Sequence, residues 1–177
     1  MNKTKLSYGF TIIELILVIV VIAILAAITT VSYNGIQERS RDTRRLNDAK
    51  VIEDALEIYL QQNGSFFEPV YESGQSEGGW ESSALEASGD FMKPLMTSGL
   101  MDKMPVDPVN NSTMHYRYYV YAAGSAGCDA SKGKFAVFQI TDFETSGRPY
   151  EHEPGFQCPS RNWSTEADYT VGIFEKD

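Results

Sequence analysis

One carboxylate, Glu14, stands inside an otherwise apolar run near the N-terminus, and no other residue constrains this chain as much. A short polar leader carrying Lys3 and Lys5 is followed by Gly9-Phe10-Thr11-Ile12-Ile13-Glu14-Leu15, which opens a stretch that stays apolar to Ile28. A carboxylate in hydrocarbon costs roughly 2.5 kcal/mol or more, so a membrane helix keeps one where it has a partner. A secretory signal peptide places its small residues after the apolar core. Here Gly9 stands before it. That reversed order points to a signal removed from the front while the apolar segment is retained. Residues 10–31 are enough to cross a ~30 Å hydrocarbon layer at ~1.5 Å per residue. A plain membrane anchor or a buried core helix would also explain an apolar run, but neither explains Glu14 beside a Gly-Phe junction behind a basic leader.

Together with Val20-Val21-Ile22-Ala23-Ile24-Leu25-Ala26-Ala27-Ile28, this heptad resembles the class III signal of type IV pilins and type II secretion pseudopilins. The resemblance implies cleavage between Gly9 and Phe10 by a prepilin peptidase and N-methylation of the new Phe10 amine. It also implies that the Glu14 carboxylate neutralises the terminal ammonium of a neighbouring subunit during assembly. Opposite charges gain far more by meeting in low dielectric than in water. The partners implied are the cytoplasmic membrane before assembly, an assembly platform within it, and further copies of the chain in a helical filament. Many relatives carry a proline near the end of the apolar run and a glycine in its middle. Those positions are Val31 and Ala23 here, and both changes favour unbroken helix.

No proline occurs before Pro69, and Gly35 is the only glycine from Thr11 to Gln62. The spacing therefore predicts one long helix of ~75–80 Å. Its second half carries a stripe of Leu46, Ala49, Ile52, Leu56, Tyr59 and Leu60 at three- and four-residue steps, and Asn63-Gly64 is a stop signal. The organisation expected is a leader (1–9), an apolar membrane or filament-core half-helix (10–31), an amphipathic half-helix (32–64) and a globular head (65–177). The head begins with an αβ-loop (65–114). Between the apolar run and the head, Glu38-Arg39-Ser40-Arg41-Asp42-Thr43-Arg44-Arg45 reads as a solvated, mixed-charge face or a collar at the membrane surface. A second reading has these arginines bridging to acids of adjacent subunits; binding of DNA is a distant third.

Residues 65–89 read as a surface loop with a short helix at Ser82–Ala87. Asp90 is positioned to cap a helix through Met92, Leu95 and Met96 that stops at Gly99. Met104-Pro105-Val106-Asp107-Pro108, running into His115-Tyr116-Arg117-Tyr118-Tyr119-Val120-Tyr121, resembles the Pro-x-Asp-Pro segment before the first strand of major pseudopilins and many pilins. Strands are expected at about 115–122, 134–141 and 168–175. The fold class is α+β: a long N-terminal helix packed on a small antiparallel sheet, pilin-like, with exposed loops at 65–89 and 142–167.

Removing the leader takes two lysines with it, so the formal charge moves from −9 to −11. Such acidity argues against general phosphate-backbone binding and leaves nucleic acid unsupported as a partner. The two cysteines, Cys128 and Cys158, form an even pair, favouring a disulfide in an exported protein; a metal site would want more ligands, and His115 and His152 are not spaced with them. The bridge would resemble the C-terminal disulfide-bounded loop of many pilins. Asp142, Glu144, Glu151 and Glu153 could offer oxygens to calcium, as in some pseudopilin C-terminal loops, but their spacing matches no calcium loop and a solvated acidic loop is favoured. Tyr118, Tyr119, Tyr121 and Trp163 could form an adhesive patch, although strand tyrosines mostly pack. His115 is expected to make a surface or cross-strand contact. No catalytic constellation, phosphate loop or cofactor motif appears, so the chain is expected to be structural. The leading expectation is a type IV pilus subunit for adhesion, motility or DNA uptake, held first in the cytoplasmic membrane and then in an extracellular pilus. The alternatives are a type II secretion pseudopilin and a minor pilin acting as a tip binding module.

Overall fold

The structure, a computed structural model, describes residues 10–71, 74–86, 90–145 and 154–176, with side chains for all of these but 29–32. The leader with Gly9, Ala87, and Gly147, Pro149, Glu151, His152 and Glu153 of the C-terminal loop lie outside the described residues. Helix α1 runs without interruption over Ile12–Asn63. Its first part lies in one compact unit, Met1–Arg39, and its second in another, Ser40–Asp177. In the first unit every side chain from Phe10 to Ile28 is exposed, and α1 is long and apolar enough to cross a membrane.

In the second unit α1 turns its stripe inward. Ala49, Ile52, Ala55 and Leu56 are buried, and Leu46, Tyr59 and Leu60 pack partly against them. They face a four-stranded antiparallel sheet ordered β1 (Glu81–Ser82), β2 (Tyr116–Tyr121), β3 (Phe135–Ile140), β6 (Tyr169–Phe174). The register pairs Tyr118 with Phe138 and Phe138 with Val171. Tyr116, Tyr118 and Val120, with Ala136, Phe138 and Ile140, point to the helix. Each fully buried large apolar side chain contributes about 1.5–3 kcal/mol, so this one layer carries much of the head's stability.

The far face is covered too. Phe135 and Val137 join Trp80, Trp163 and Cys128, with Tyr119, Tyr121, Phe156 and Phe174 packed against them. A two-stranded hairpin, β4 (Gln157–Cys158) and β5 (Arg161–Asn162), packs Cys158 against this cluster and is followed by a 3-10 turn at Trp163–Thr165. Being covered on both faces, β3 is buried at all six positions. Gly172 of β6 sits directly beneath the Phe156 ring, and an added Cβ would overlap that ring. Gly172→Ala is therefore expected to destabilise the head by about 1–3 kcal/mol through overpacking. An unchanged urea midpoint would show that Phe156 does not seat there.

Two local expectations are corrected. Ser82–Ala87 does not begin a helix: Glu81 and Ser82 form β1 on the open edge of β2, and the Leu85 and Glu86 N–H groups both turn back to the Ser82 carbonyl. The ladder bonds offered by β2, continued by the Ser83 N–H to the Tyr116 carbonyl, outweigh a weak helical preference. Asp90 does not cap the next helix. α2 spans Lys93–Thr97, and its cap position is Met92, left-handed at φ 47°, with no side-chain cap. The Met92 N–H donates instead to the buried Glu81 carboxylate at 2.6 Å, while the Asp90 carboxylate lies 3.1 Å from Lys93 Nζ. The stop at Gly99, with φ of 76°, is as expected.

Candidate functional site

At the start of α1 the Thr11 N–H and Thr11 Oγ1 both donate to Glu14 Oε2 at 2.7 Å, and the Glu14 N–H returns to Thr11 Oγ1 at 3.3 Å. This reciprocal capping box satisfies N-terminal donors and holds a negative charge at the positive end of the helix. Glu14 thus has a partner within its own chain. The signal was present in the sequence as Thr-x-x-Glu. Phe10, next to the proposed cleavage point, is 84% exposed.

The second cluster was not foreseen. The 38–45 band is no uniformly solvated face: Asp42 and Arg45 are fully buried, and Arg39 and Arg44 stay exposed. Arg45 grips Asp107 with two bonds, Nε to Oδ2 at 2.6 Å and Nη2 to Oδ1 at 2.9 Å. Its Nη1 reaches Asp42 Oδ1 at 2.7 Å and Glu144 Oε1 at 2.9 Å. Arg41 forms a two-pronged pair with Glu144. Asp42 in turn accepts the Glu144 and Thr145 N–H groups, each at 3.0 Å, and the Thr145 hydroxyl at 2.6 Å. Asp107 accepts the N–H groups of Val109 at 2.8 Å and Asn110 at 3.1 Å.

The network joins α1, the Pro105–Pro108 segment and the arm after β3. Arg41 and Arg45 therefore pair within the chain, which removes them from the expected bridges to adjacent subunits. The Glu144 carboxylate is no part of a solvated acidic loop. Burial would push Asp42 and Asp107 up, but their bonds, from Thr145 and Glu144 in the first case and Arg45 in the second, hold both below the ordinary carboxylate range. Glu144 is lowered chiefly by Arg41, against some burial.

Another buried carboxyl, Glu81, also escaped the sequence reading. Burial raises it to about 7, partly offset by bonds from the Met92 and Val70 N–H groups. The unfolded value is near 4.5. Because the folded value is the higher, Glu81 costs nothing in acid and subtracts stability as pH rises from about 4.5 to 7, by up to about 3 kcal/mol. Glu81→Gln keeps a carbonyl for the Met92 bond and cannot ionise. Its urea midpoint is expected to exceed that of the unsubstituted chain at pH 8 and to converge with it near pH 4; equal midpoints at pH 8 would refute the burial effect.

His115 is buried rather than on the surface, and its backbone makes the cross-strand contact, its N–H donating to Thr141 Oγ1 at 3.0 Å and its carbonyl accepting from the Thr141 N–H at 3.1 Å. Its Nε2 lies 2.5 Å from Glu77 Oε2, which belongs to the αβ-loop, and its Nδ1 lies 3.1 Å from the Asn111 carbonyl. Tyr118 and Trp163 are fully buried and Tyr119 and Tyr121 half-buried, with Trp163 Nε1 donating to the Tyr121 hydroxyl at 3.0 Å. These rings are core, not an adhesive patch. Cys128 and Cys158 are joined in a disulfide with Cα atoms 5.1 Å apart, tying the turns after β2 to β4. Closing a loop of this length is worth at most ~3–4 kcal/mol. Among the described residues no group of three or more His, Cys, Asp or Glu side chains is arranged to hold a metal ion.

The prokaryotic N-terminal methylation motif matches residues 4–30. The chain is 31% identical to type II secretion system core protein G of Pseudomonas aeruginosa over 133 residues, covering 75% of this chain and 81% of that one. It is 27% identical to core protein G of Escherichia coli over 137 residues, 72% and 88% of the two chains. Against core protein G of Vibrio cholerae the identity is 24% over 156 residues, 81% of this chain and all of the relative. No solved structure gives a significant match. The likeness continues through the head, and these relatives are core proteins of type II secretion systems, which favours the alternative expectation over the leading one. With the methylation motif at its start, the long helix on an antiparallel sheet, and these relatives along most of its length, the chain belongs to the type IV pilin and type II secretion pseudopilin family.

Proposed function

We propose that this chain is the subunit of a short, membrane-rooted pseudopilus serving a type II secretion system. The observation that carries this reading is the similarity to core protein G across the head as well as the signal. In this reading a prepilin peptidase cuts between Gly9 and Phe10, the Phe10 amine is methylated, and residues 10–31 hold the subunit in the cytoplasmic membrane. The amine of an entering subunit then meets Glu14 of one already in place, and burial of the apolar half-helices holds the filament. The role is structural, and no step calls on catalysis by this chain.

A pilus subunit is the second reading, favoured by the Cys128–Cys158 bridge, which resembles the disulfide-bounded C-terminal loop of pilins. One experiment separates them: delete the gene, then compare protein export with the fibres sheared from cells, taking the intact mass of this chain in each fraction. The pseudopilus reading expects a chain starting at methylated Phe10 that stays with the membrane, and loss of export in the deletion strain. Abundant sheared fibres built of the chain, with export untouched, would replace it with the pilus reading. A chain still starting at Met1 would refute the processing on which both depend.

A further inference from the structure

The surroundings of His115 do not suit a neutral ring. Its side chain is 3% exposed, and both ring nitrogens face acceptors: Nδ1 the Asn111 carbonyl at 3.1 Å, Nε2 the Glu77 carboxylate at 2.5 Å. A tight turn fixes that carbonyl. Asn111 Oδ1 accepts the Thr113 and Met114 N–H groups, each at 2.8 Å, and the Asn111 N–H donates to the Met114 carbonyl at 3.0 Å. A neutral imidazole has one N–H, so either tautomer would set a lone pair against an acceptor. The geometry calls for a second proton, between Nε2 and Oε2.

Glu77 belongs to a separate piece of chain. Glu77 and Trp80 exchange both backbone bonds at 3.1 Å, closing a two-residue hairpin across Gly78 and Gly79, whose φ angles are 60° and 97°. Trp80 lies against Tyr119 and Tyr121 of β2, with the Arg117 guanidinium 4.7 Å from its ring centre. The Tyr71 hydroxyl donates to the Gly79 carbonyl.

We propose that one proton, held between His115 and Glu77, latches the Glu77–Trp80 hairpin of the αβ-loop onto β2, and that the loop loosens as pH rises and this proton leaves. The charged groups around the pair fit that role. Glu77 Oε1 also takes Arg117 Nη1 at 3.1 Å, so the carboxylate stands between two donors. Arg117 cannot shift to replace the lost proton, because Gln139 Oε1 holds its Nε at 2.8 Å and Trp80 stacks on its plane. Thr141 meets His115 through uncharged groups only. The other acids of the neighbouring segments are turned elsewhere: Asp168 to the Phe143 N–H at 3.1 Å, Glu166 to Arg161 at 2.7 Å, and Glu81 of β1 to the Met92 and Val70 N–H groups. Glu77 is itself 37% exposed, so water can reach the proton while the ring stays buried. The docked pair carries one proton more than a free imidazole and a free carboxylate hold in alkaline solution, so alkali favours release.

The test is hydrogen–deuterium exchange of the full chain in detergent, disulfide intact, beside Glu77→Gln. Protection of residues 76–80 is read by mass at about pH 6 and about pH 9, which bracket the imidazole range, with intrinsic exchange divided out. In the unsubstituted chain it is expected to fall about ten-fold or more at the higher pH, the loss of one charge-assisted bond. Glu77→Gln should show no such fall, because its amide accepts through oxygen or donates through nitrogen and suits Nε2 with or without a proton. Both chains keep Glu81, so its titration cancels in the comparison. Equal protection at both pH values in the unsubstituted chain would overturn the proposal. So would an equal fall in Glu77→Gln, which would place the cause outside the pair. Nitrogen NMR of His152→Asn, in which His115 is the only histidine, checks the proton itself. Both ring nitrogens should carry hydrogen wherever residues 76–80 are protected, and one bare nitrogen there would also overturn the latch.

Discussion

Replacing Glu14 with valine is expected to leave leader cleavage and membrane insertion intact and to abolish filament formation. Valine is easier to hold in hydrocarbon than a carboxylate, so insertion gains rather than suffers. Loss of the capping box with Thr11 weakens one helix end by only about 1 kcal/mol. The large effect comes at assembly, where an entering Phe10 ammonium would be buried with no opposing charge, costing several kcal/mol per subunit. Glu14→Gln separates the two contributions. Its amide carbonyl can still accept from the Thr11 N–H and hydroxyl, which now bond Glu14 Oε2 at 2.7 Å, but it carries no charge. Filament yield, read as subunit-to-subunit cross-linking in the membrane fraction, should be lost in both variants. Normal yield from Glu14→Gln would assign the role to the cap instead, and normal yield from Glu14→Val would end the charge-pairing account.

Arg45→Met is expected to destabilise the head by about 3–5 kcal/mol at neutral pH, because it leaves buried carboxylates without their counter-ion. Methionine fills much of the volume, so the loss is chiefly electrostatic. The pH dependence identifies the cause. Asp42, Asp107 and Glu144 titrate below their ordinary range in the folded head, so the stability they contribute is present above the unfolded values and is lost as pH falls through the folded ones. In Arg45→Met the same carboxyls are buried without the guanidinium, which raises them, and acid then relieves the variant. Denaturant unfolding at pH 7 and pH 4 should therefore show a large difference between the two chains that shrinks in acid. A difference independent of pH would mean that lost packing, not charge, is responsible.

The contrast between Arg45 and the rest of the head shows what this sequence discloses. Helix α1 was legible because its proline-free run and the Leu46–Leu60 stripe are local patterns, and both ends carry ordinary signals. β2, β3 and β6 were legible within one or two residues, since aromatic and β-branched runs bounded by glycine and proline leave few alternatives. β1 was not, because a two-residue strand owes its form to the edge it pairs with. The cap of α2 was misread because Glu81, eleven residues upstream, captures the Met92 N–H ahead of Asp90. Arg45 was hidden for a related reason. A run of arginines with acids among them has the composition of a solvated face, and the partners that bury it stand far along the chain. At the N-terminus, by contrast, Thr11 and Glu14 are three residues apart and their bond was written in the spacing. Residues alone did not separate a pilus from a pseudopilus, because both use the same stalk and a similar head.

The position of the Arg45 clamp also bears on mechanical load. In the pseudopilus proposed above, a pull on the head along its helix would act on the first turns of α1 in the Ser40–Asp177 unit, where Arg41, Asp42 and Arg45 stand. Their bonds run to the Pro105–Pro108 segment and to the arm after β3, so the pull is shared among three stretches of chain at once rather than peeling one away. Resistance to forced unfolding is set by the barrier to opening, not by equilibrium stability. A head anchored this way must break bonds to three stretches of chain before its helix can be drawn out of it.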